Sequence, residues 1–522
     1  MQQDKDPLIL AIDLGTSGPK VALVTPYGRV LDCAIGETRL ILYGHDGAEQ
    51  DPDEWWQAIT AASQQLLARH PQERRRLAAI CCTSQWSGTV PVDRQGRHLM
   101  NAIIWMDNRG APYVRQVTGG PLKIAGFGLD KLVAWIRRTG GIPGHSGKDP
   151  IAHILYIKHE RPDIYAATYK FLEPKDYLNL RLTGLFAASY ESITLHWVTD
   201  NRHINAVAYD DRLLQLGQLE RDKLPDLQPA VAVLGPVLPE AAAALGVPPG
   251  LPVIMGTPDV HSAAIGSGAV SDYAAHLYIG TSSWLACHVP FKKTDLLHNI
   301  ASLPSAIPGR YMVINEQETA GACLAHLRNN LLFYDDELLP ATGERGSYEA
   351  FDTIAARVPP GSEGVIYTPW LNGERTPVDD HAVRGGFHNL SLQHHRGHLI
   401  RAVMEGVAYN SRWLLGYVEK FVRRRFAAVH LIGGGAKSAV WCQIQADVLN
   451  RPIVQIKDPV EANARGAGIL AAVALGLVTF EQAAAQIEIA HTYTPDPSHR
   501  ALYDARYAAF RRIYQYHRRI FG

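Results

Sequence analysis

The sequence predicts an α/β protein that is built from two related halves. At 522 residues, the chain is too long for one hydrophobic core, so two large domains or more are expected. A strand-like apolar run, a Gly-Thr-Ser turn and a second strand occur near the N-terminus, at Gly15-Thr16-Ser17. The same pattern returns about half the chain later, at Gly280-Thr281-Ser282. An internal repeat of this kind indicates two halves of common architecture.

The composition excludes several functional classes. Hydrophobic residues make up 47% of the chain and charged residues 20%, which is ordinary for a globular protein. The formal net charge is zero, so neither nucleic acid nor a membrane surface is an expected partner. The first residues lack a signal-peptide core, and the longest apolar run, Gly468 to Val478, is too short to span a bilayer. The six cysteines form no C-x-x-C pair, which favours buried thiols in a reducing, cytoplasmic compartment.

The first hydroxylated turn follows a strand that should be buried. Leu8 to Ile12 is continuously apolar, and it runs into Asp13-Leu14-Gly15-Thr16-Ser17-Gly18-Pro19-Lys20. Strands over Val21 to Thr25 and Arg29 to Ala34 complete a predicted β-meander. Hydroxyls and free amides on a tight turn suit a phosphate, and the preceding Asp13 suits a hydrated Mg²⁺. An ordinary hairpin with a polar turn explains the same residues.

The next segment carries a clear signal for the start of a helix. Asp51 is predicted as the N-cap and Pro52 as the first helical residue. Glu54 stands where it would complete a capping box. This helix is interpreted as structural.

Two strand ends place polar side chains beside tryptophans. The predicted strand Leu77 to Cys82 leads into Gln85-Trp86-Ser87. The strand Ala102 to Ile104 leads into Trp105-Met106-Asp107-Asn108-Arg109. An aromatic face can cover the CH side of a sugar while amide and carboxylate groups bond its hydroxyls. Polar strand ends beside core tryptophans are the alternative for either segment alone.

A glycine-rich segment in the first half resembles a P-loop but does not qualify as one. Ile142 stands where the first glycine of the motif belongs, and Asp149 follows Lys148 where serine or threonine is required. Asp149-Pro150 instead begins a predicted helix over Ile151 to His159. Leu172 to Leu182 is predicted as an amphipathic helix.

The middle of the chain holds an acid at a turn. An apolar run, Leu251 to Met255, ends in Gly256-Thr257-Pro258, and Asp259 precedes a run of small residues. The small residues predict a helix that packs closely on a neighbour. Asp259 is either the N-cap of that helix or a carboxylate presented to a cleft.

The second half repeats the phosphate-type turn and adds a glycine-rich one. Strands over His276 to Ile279 and Trp284 to Val289 flank Gly280-Thr281-Ser282-Ser283, so two hydroxylated turns facing each other could hold a polyphosphate. A glycine-rich turn, Gly433-Gly434-Gly435-Ala436-Lys437-Ser438, lies between the predicted strand Val429 to Ile432 and a following helix. This arrangement lets a nucleotide approach a helix N-terminus. The remaining predictions are a helix opened by Glu316 to Ala322, a loop over Pro369 to Pro377, helices over Leu399 to Phe421, Ala439 to Leu449 and Glu461 to Leu477, and a helical tail.

Taken in order, these motifs resemble the FGGY family of carbohydrate kinases, and within it the xylulokinase-like pentulose kinases. Each motif is weak alone, but the ordered set extends over about Leu8 to Leu477. The matching residues are Asp13, Gly15-Thr16-Ser17, Gln85, Trp105, Asp107, Arg109, Pro174-Lys175-Asp176-Tyr177-Leu178, Gly256, Asp259, Gly280-Thr281-Ser282, Gly373-Glu374-Arg375-Thr376-Pro377 and Gly433-Gly434-Gly435-Ala436-Lys437-Ser438.

The resemblance implies an α/β fold of two actin-like, ribonuclease-H-like domains that flank a deep active-site cleft. We expect a sugar-binding domain over residues 1–269, an ATP-binding domain over 270–480 and a helical tail over 481–522. The substrates would be a small sugar and ATP, with Mg²⁺ as the metal. A homodimer is the assembly under consideration.

The resemblance also implies roles for individual residues. Asp259 matches the catalytic base, which would also touch the sugar, and Asp13 would hold Mg²⁺ through water. The expected sugar contacts are Gln85, Trp86, Ser87, Trp105 and Asp107. The expected nucleotide contacts are Gly15, Thr16, Ser17, Lys20, Gly280, Thr281 and Ser282 at the phosphates, and Gly321, Gly434, Gly435 and Ala436 at the adenosine.

One departure leaves the substrate open. Xylulokinases usually have Gln-Met-His where this chain has Gln85-Trp86-Ser87. D-xylulose is the predicted substrate, but another ketopentose, a longer ketose, a polyol or gluconate would also fit the pattern. An actin-like or chaperone-like ATPase and a sugar-binding sensor are the alternatives from other functional classes.

Overall fold

Two mixed β-sheets organise the protein. The computed structural model describes residues 6–332 and 348–521, so the first five residues, where no signal segment is predicted, lie outside the described part. In spatial order the first sheet consists of Val233–Pro236, Pro252–Ile254, Leu77–Ser84, Leu8–Gly15, Gly18–Val24 and Val30–Ile35. The second consists of Thr294–Asp295, Ile300–Pro304, Tyr311–Gln317, Ser283–Val289, Ala275–Ile279, Val429–Ile432, Ile453–Ile456 and Ile489–Tyr493.

The two sheets share one topology. Leu8–Gly15 and Ala275–Ile279 hold equivalent central positions, since each pairs antiparallel with the strand after its hydroxylated turn. Each also pairs parallel with a strand from much later in its own half. Beyond that strand, both sheets add one parallel and then one antiparallel strand. The internal repeat predicted from the two turns is therefore confirmed, and the paired sheets give the α/β architecture expected of actin-like domains.

Helices and short strands surround the two sheets. The α-helices are Pro52–Arg69, Ala111–Thr118, Leu129–Thr139, Pro150–Glu160, Pro162–Ala167, Pro174–Thr183, Asp211–Gly217, Pro239–Leu245, Asp259–Gly266, Gly321–His326, Tyr348–Ala356, Arg396–Val422, Ala439–Leu449, Ala462–Ala474, Phe480–Ala484 and Arg500–Phe521. The short strands are Ile41–Tyr43, Gly47–Gln50, Val90–Val92, Ala102–Ile103, Lys123–Ile124, Phe127–Gly128, Lys170–Leu172, Ala187–Ser189, Thr199–Asp200, Ala208–Tyr209, Asp226–Gln228, Ile366–Thr368 and Gly386–His388. Single helical turns at Glu73–Arg76, Ser192–His196, Arg221–Lys223, Leu327–Leu332, Ser362–Gly364, Gly434–Lys437, Pro459–Glu461 and Pro497–His499 complete the elements.

Helices Asp259–Gly266 and Ala462–Ala474 cross in very close contact. A Cβ on Gly266 would lie 1.8 Å from the carbonyl oxygen of Ala462, and a Cβ on Gly466 would lie 1.8 Å from that of Ser262. Only glycine permits this approach of two backbones. The second of these helices also packs on the core of the first sheet. The predicted close packing of the small-residue helix is thus confirmed, and it joins the two halves of the chain.

Three local predictions were wrong. Glu54 does not complete a capping box, because its carboxylate bonds the Arg39 side chain at 2.6 Å, although Asp51 does cap the helix. The helix predicted from Leu172 begins at Pro174 and is buried on nearly every side. Glu316 lies in strand Tyr311–Gln317, and the helix predicted to open there begins at Gly321.

Two chain-wide predictions concern the membrane and the thiols. Within the described ranges, no helix combines the length and the apolar character needed to cross a bilayer. All six cysteines are free thiols, and all but Cys33 are buried.

Candidate active site

A rigid loop carries Asp259 into the space between the two halves. Gly256 has φ of 71°, and a Cβ there would lie 2.1 Å from the carbonyl oxygen of Cys82, so glycine is required. The side chains of Lys175 and Asn179 donate to the carbonyl oxygen of Met255 at 3.0 and 2.7 Å. The polar residues of the buried helix Pro174–Thr183 therefore fix the loop that ends at Asp259.

Asp259 serves its helix and remains accessible. It is the first residue of helix Asp259–Gly266, with Pro258 in the N-cap position. Its Oδ1 accepts a hydrogen bond from the amide of Val260 at 2.8 Å. The N-cap interpretation of Asp259 is therefore wrong, since Pro258 holds that position and no side-chain cap bond is made. The side chain is only partly buried, and its presentation to a cleft stays a prediction.

The environment of Asp259 disfavours its charge. The pKa of Asp259 is raised to about 8, mainly by burial. The neighbouring carboxylate of Asp13 and, more weakly, that of Glu316 add to the increase, while the hydrogen bond from the Val260 amide opposes it. The protonated carboxyl is therefore favoured more strongly than in an exposed aspartate. A hydroxyl that donates to it would favour the ionised form.

Asp13 offers an unused oxygen in the same region. The residue is buried, and its Oδ1 accepts no hydrogen bond from the described residues. Burial raises the pKa of Asp13, and the ammonium of Lys20, 3.8 Å away, lowers it. Lys20 also donates to the carbonyl oxygen of Val460 at 3.3 Å. An unsatisfied buried carboxylate oxygen fits a hydrated divalent cation.

The first hydroxylated turn is tied to both tryptophan-bearing strand ends. The hydroxyl of Thr16 donates to Gln85 Oε1 at 3.1 Å and accepts from Trp105 Nε1 at 3.0 Å. The Gln85 amide donates to Gln50 Oε1 at 2.7 Å. Gln50 was not predicted as a site residue, since it ends a short strand and no local signal links it to the turn. Ser17 is exposed, beyond the strand pair that ends at Gly15.

Trp86 and Ser87 lie on the other side of this cluster. The Trp86 indole donates to the carbonyl oxygen of Ser192 at 3.0 Å, and its ring meets His261 edge-on at 5.3 Å. His261 belongs to the helix that begins at Asp259, so Trp86 packs beside the loop that carries Asp259. The Ser87 hydroxyl donates to the carbonyl oxygen of Lys148 at 2.7 Å. Their roles as sugar contacts stay predictions.

Asp107 is more heavily engaged than expected. Its Oδ2 accepts from the Ala48 amide at 2.9 Å and from Arg109 Nε at 2.8 Å. Its Oδ1 accepts from the Arg109 amide at 2.9 Å. Asp107 is fully buried, so these bonds make it the anchor of Arg109 and of the strand end that carries Trp105.

The second hydroxylated turn adjoins the predicted adenosine residues. Gly321 donates to the carbonyl oxygen of Gly280 at 2.8 Å, and a Cβ on Gly321 would lie 2.4 Å from that oxygen. A Cβ on Gly435 would lie 2.5 Å from the Ile279 side chain, while one on Gly434 would meet nothing within 4 Å. Gly434 is exposed, whereas Ala436 is buried. The structure thus gathers the Gly280-Thr281-Ser282 turn, Gly321 and the glycine-rich turn into one surface.

Tyr278 shows that the two halves meet near the acids. Burial raises its pKa to about 12, and the charges of Asp259 and then Asp13 add to the increase. Tyr278 precedes the second turn by two residues, as Asp13 precedes the first. Both turns therefore adjoin residues that lie near the same pair of carboxylates.

An ionic cluster that the sequence analysis did not assign also spans the halves. Arg375 forms ion pairs with Glu316 and Glu318. Lys148, from the first half, bonds Glu318 at 2.9 Å. Glu374 accepts from the amides of Glu318 and Arg375 at 3.0 and 2.9 Å, and burial raises its pKa to about 7. Arg375 stood in a matched motif, but its partners are distant in sequence.

Comparison with known proteins extends over almost the whole chain. Residues 8–266 match the N-terminal domain of the FGGY family of carbohydrate kinases, and residues 275–475 match its C-terminal domain. The chain is 31% identical to a xylulose kinase of Escherichia coli K12, over 97% of this chain and 99% of that protein. It is 27% identical to a gluconokinase of Bacillus licheniformis, over 93% and 91%. The ligand-bound xylulose kinase of Lactobacillus acidophilus has the same fold, with a TM-score of 0.85 over 99% of both chains at 24% identity.

Proposed function

The chain belongs to the FGGY family of carbohydrate kinases, and from that premise we propose that it uses ATP to phosphorylate the terminal hydroxyl of a ketopentose such as D-xylulose. Sugar phosphate and ADP would be the products. The position of Asp259 carries the proposal. Its carboxyl lies near Asp13 and begins the helix whose His261 meets Trp86. A base there can reach both a phosphate and a sugar.

The chemistry needs little covalent participation by the protein. Phosphoryl transfer is accelerated mainly by positioning and by compensation of charge. In this proposal Asp259 accepts the proton of the attacking hydroxyl. The turns that carry Ser17, Thr281 and Ser282 hold the phosphates. Thr16 has a different part, since its hydroxyl already bonds Gln85 and Trp105.

The metal and the nucleoside have candidate residues as well. Asp13 would hold Mg²⁺ through water, and its unpaired Oδ1 supports this role. When bound, the ion would neutralise charge on the phosphates of ATP. Gly321, Gly434, Gly435 and Ala436 would line the adenosine. Gly434 supports this role best, because no packing contact requires a glycine there.

Gluconate is the second candidate substrate. Relatives of this chain include gluconokinases, and Lys148 and Arg375 provide two cations near the tryptophan-bearing strand ends. Both cations are already paired, however, with Glu318 and Glu316. The site therefore offers no excess positive charge for a sugar acid, which favours a neutral sugar.

A screen of the purified full chain tests the proposal. ADP release with ATP and Mg²⁺ is measured for D-xylulose, other ketopentoses, pentitols and gluconate, each against a reaction without sugar. We expect D-xylulose or a close ketopentose to give the highest kcat/KM. A higher kcat/KM for gluconate would favour the second candidate. If no sugar raises ADP release above background, the kinase function itself is wrong.

The remaining expectations are proposals about the chain as a whole. We keep the division into residues 1–269, 270–480 and 481–522 as the proposed domains. The free thiols support a cytoplasmic location. A homodimer is proposed as the assembly and can be tested by light scattering.

A further inference from the structure

Arg375 belongs to the second half but lies against the first. Its guanidinium carbon is 6.0 Å from the centre of the Trp105 ring. Trp105 is the residue whose indole bonds Thr16. The ionic cluster described above thus brings one cation of the second half to the strand end that is proposed to bind the sugar.

The surroundings of Arg375 fix it but leave one nitrogen unused. Nε and Nη1 donate to Glu318 and Glu316. The backbone amide of Arg375 is held by Glu374, which Asn410 holds in turn. Nη2 is buried and has no hydrogen-bond acceptor among the described residues. A buried donor without an acceptor is costly, so a ligand atom is the natural partner.

Asp149 is the corresponding hydrogen-bond acceptor in the first half. It stands at the N-cap position of helix Pro150–Glu160, but its side chain bonds no amide of that helix. Its Oδ2 accepts from the amide of Gly144 at 3.0 Å and from the indole of Trp197 at 2.8 Å. No hydrogen bond to Oδ1 from the described part of the chain is found, and the residue keeps partial solvent contact.

Asp149 and Arg375 lie in the same region without being paired, because Lys148, the neighbour of Asp149 in the chain, bonds the Glu318 that also pairs with Arg375. Burial raises the pKa of Asp149, and among charged groups Arg375 is the one that lowers it. Yet the ion pairs of Arg375 within 4.0 Å, as far as the structure describes the chain, are those with Glu316 and Glu318. A carboxylate that accepts and a guanidinium that donates are separated by a gap.

A hydroxyl group fits such a gap, because it donates one hydrogen bond and accepts others. We propose that Asp149 and Arg375 form a clamp for the O1 hydroxyl of a ketopentose, the hydroxyl at the opposite end from the one that is phosphorylated. This inference rests on the proposed function. The hydroxyl would donate to Asp149 Oδ1 and accept from Arg375 Nη2.

The clamp lies in the same region as the proposed base. Glu316 pairs with Arg375, and its charge also raises the pKa of Asp259. The proposal places the clamp at the end of the sugar away from Asp259. Because Asp149 and Arg375 come from different halves, the clamp is complete only when the halves are together. Sugar binding would thus favour the closed arrangement that excludes water.

A substrate-by-variant cycle tests the clamp in the full-length enzyme. Asp149→Asn keeps an oxygen for Gly144 and Trp197 but replaces the other oxygen with a donor. Arg375→Lys keeps a cation between Glu316 and Glu318 but loses Nη2. Each variant and wild type are assayed with D-xylulose and with 1-deoxy-D-xylulose, which lacks O1.

We expect each variant to lower kcat/KM for D-xylulose by about tenfold to one hundredfold, the usual effect of losing a hydrogen bond to a charged group. With 1-deoxy-D-xylulose the same variants should change kcat/KM less than about threefold, because this sugar has no O1 hydroxyl for the changed side chains to bond. Lys148→Met is the matched control, since it breaks the Glu318 bridge and leaves the clamp residues in place. It should lower kcat/KM equally for both sugars.

Equal losses for both sugars in Asp149→Asn and Arg375→Lys, as in the control, would overturn the clamp and leave these residues a structural role. Failure of the proposed function has a different signature. Wild type itself would then not phosphorylate D-xylulose. If it phosphorylates another sugar, the cycle is run with the deoxy analogue of that sugar, and the same comparison decides.

Discussion

At the scale of single residues, the site depends on carboxylates in four different environments. Asp107 is saturated with hydrogen bonds from the protein, whereas Asp13 keeps an unpaired oxygen. Asp149 uses one oxygen for structure, and Asp259 shares its charge with a helix amide. The same side chain is therefore an anchor in Asp107, while cation ligand, sugar contact and base are the proposed roles of the other three, according to what their neighbours leave free.

Asp259→Asn tests the proposed base. The amide keeps the size of the side chain and an oxygen for the Val260 amide, but it cannot accept the proton of the sugar hydroxyl. We expect kcat to fall by roughly three orders of magnitude or more, with little change in the dissociation constant of ATP. Steady-state rates and equilibrium nucleotide binding measure the two quantities.

Asp211→Asn is the matched control for this prediction. Asp211 is exposed and also begins a helix, so the same chemical change occurs far from the proposed chemistry. Its kcat should equal that of wild type. Near-normal turnover in Asp259→Asn would remove Asp259 from the base role.

At this scale the sequence predicted the residues with local signals and missed those with distant partners. Asp259 follows a Gly-Thr-Pro turn, and Thr16 lies on a hydroxylated turn, so both were predicted as site residues. Gln50 carries no local pattern, and Lys148 stood in a glycine-rich segment that does not qualify as a P-loop. Their importance arises from partners 35 and 170 residues away, which no spacing rule relates to them.

At the scale of secondary-structure elements, the crossing of helices Asp259–Gly266 and Ala462–Ala474 positions Asp259, the proposed base. Gly466→Ala should force these helices apart, because the atom that meets the new methyl group is a backbone carbonyl oxygen. We expect a loss of about 1–3 kcal/mol in the free energy of unfolding and a lower kcat as Asp259 moves. Urea unfolding and steady-state kinetics provide the measurements.

Gly416→Ala separates packing from the intrinsic effect of glycine in a helix. Gly416 lies exposed inside helix Arg396–Val422, and a Cβ there meets nothing within 4 Å. Alanine should stabilise the protein by about 0.5–1 kcal/mol at this position, with kcat unchanged. The prediction about Gly466 fails if both substitutions stabilise the protein alike.

The elements themselves show what local patterns can and cannot predict. The ends of the hairpin strands were predicted within three residues, since continuous apolar runs and glycine turns are local signals. Helix Pro174–Thr183 was misjudged as amphipathic because it contains Lys175 and Asn179. Those side chains are buried and bond the carbonyl oxygen of Met255, a partner that helical periodicity does not reveal.

At the scale of the whole molecule, the repeated sheet topology has consequences for stability as well as for the site. The central strand of the second sheet, Ala275–Ile279, carries His276, which is fully buried with neither ring nitrogen bonded among the described residues. His261, His288 and His430 are close enough for their charges to lower its pKa further. Burial is the main cause of the low pKa values of all four rings. The region where the two halves meet is thus sensitive to acid.

The pKa of His276 is lowered to about 3, whereas an unfolded chain binds the proton near pH 6.5. The unfolded state therefore binds more protons between these values, and stability is lost as the pH falls through that window. At pH 5 this single ring should cost about 2 kcal/mol relative to pH 7.5. His276→Leu removes the titrating group and should reduce the loss by that amount.

Urea unfolding of wild type and variant at pH 7.5 and pH 5.0 measures the difference. His45→Leu is the control, because His45 is exposed and its ring contacts solvent in the folded chain. It should lose as much stability as wild type between the two pH values. An unchanged loss in His276→Leu would show that the junction of the two halves opens to water before acid unfolding begins. The buried histidines would then not set the acid limit of the fold.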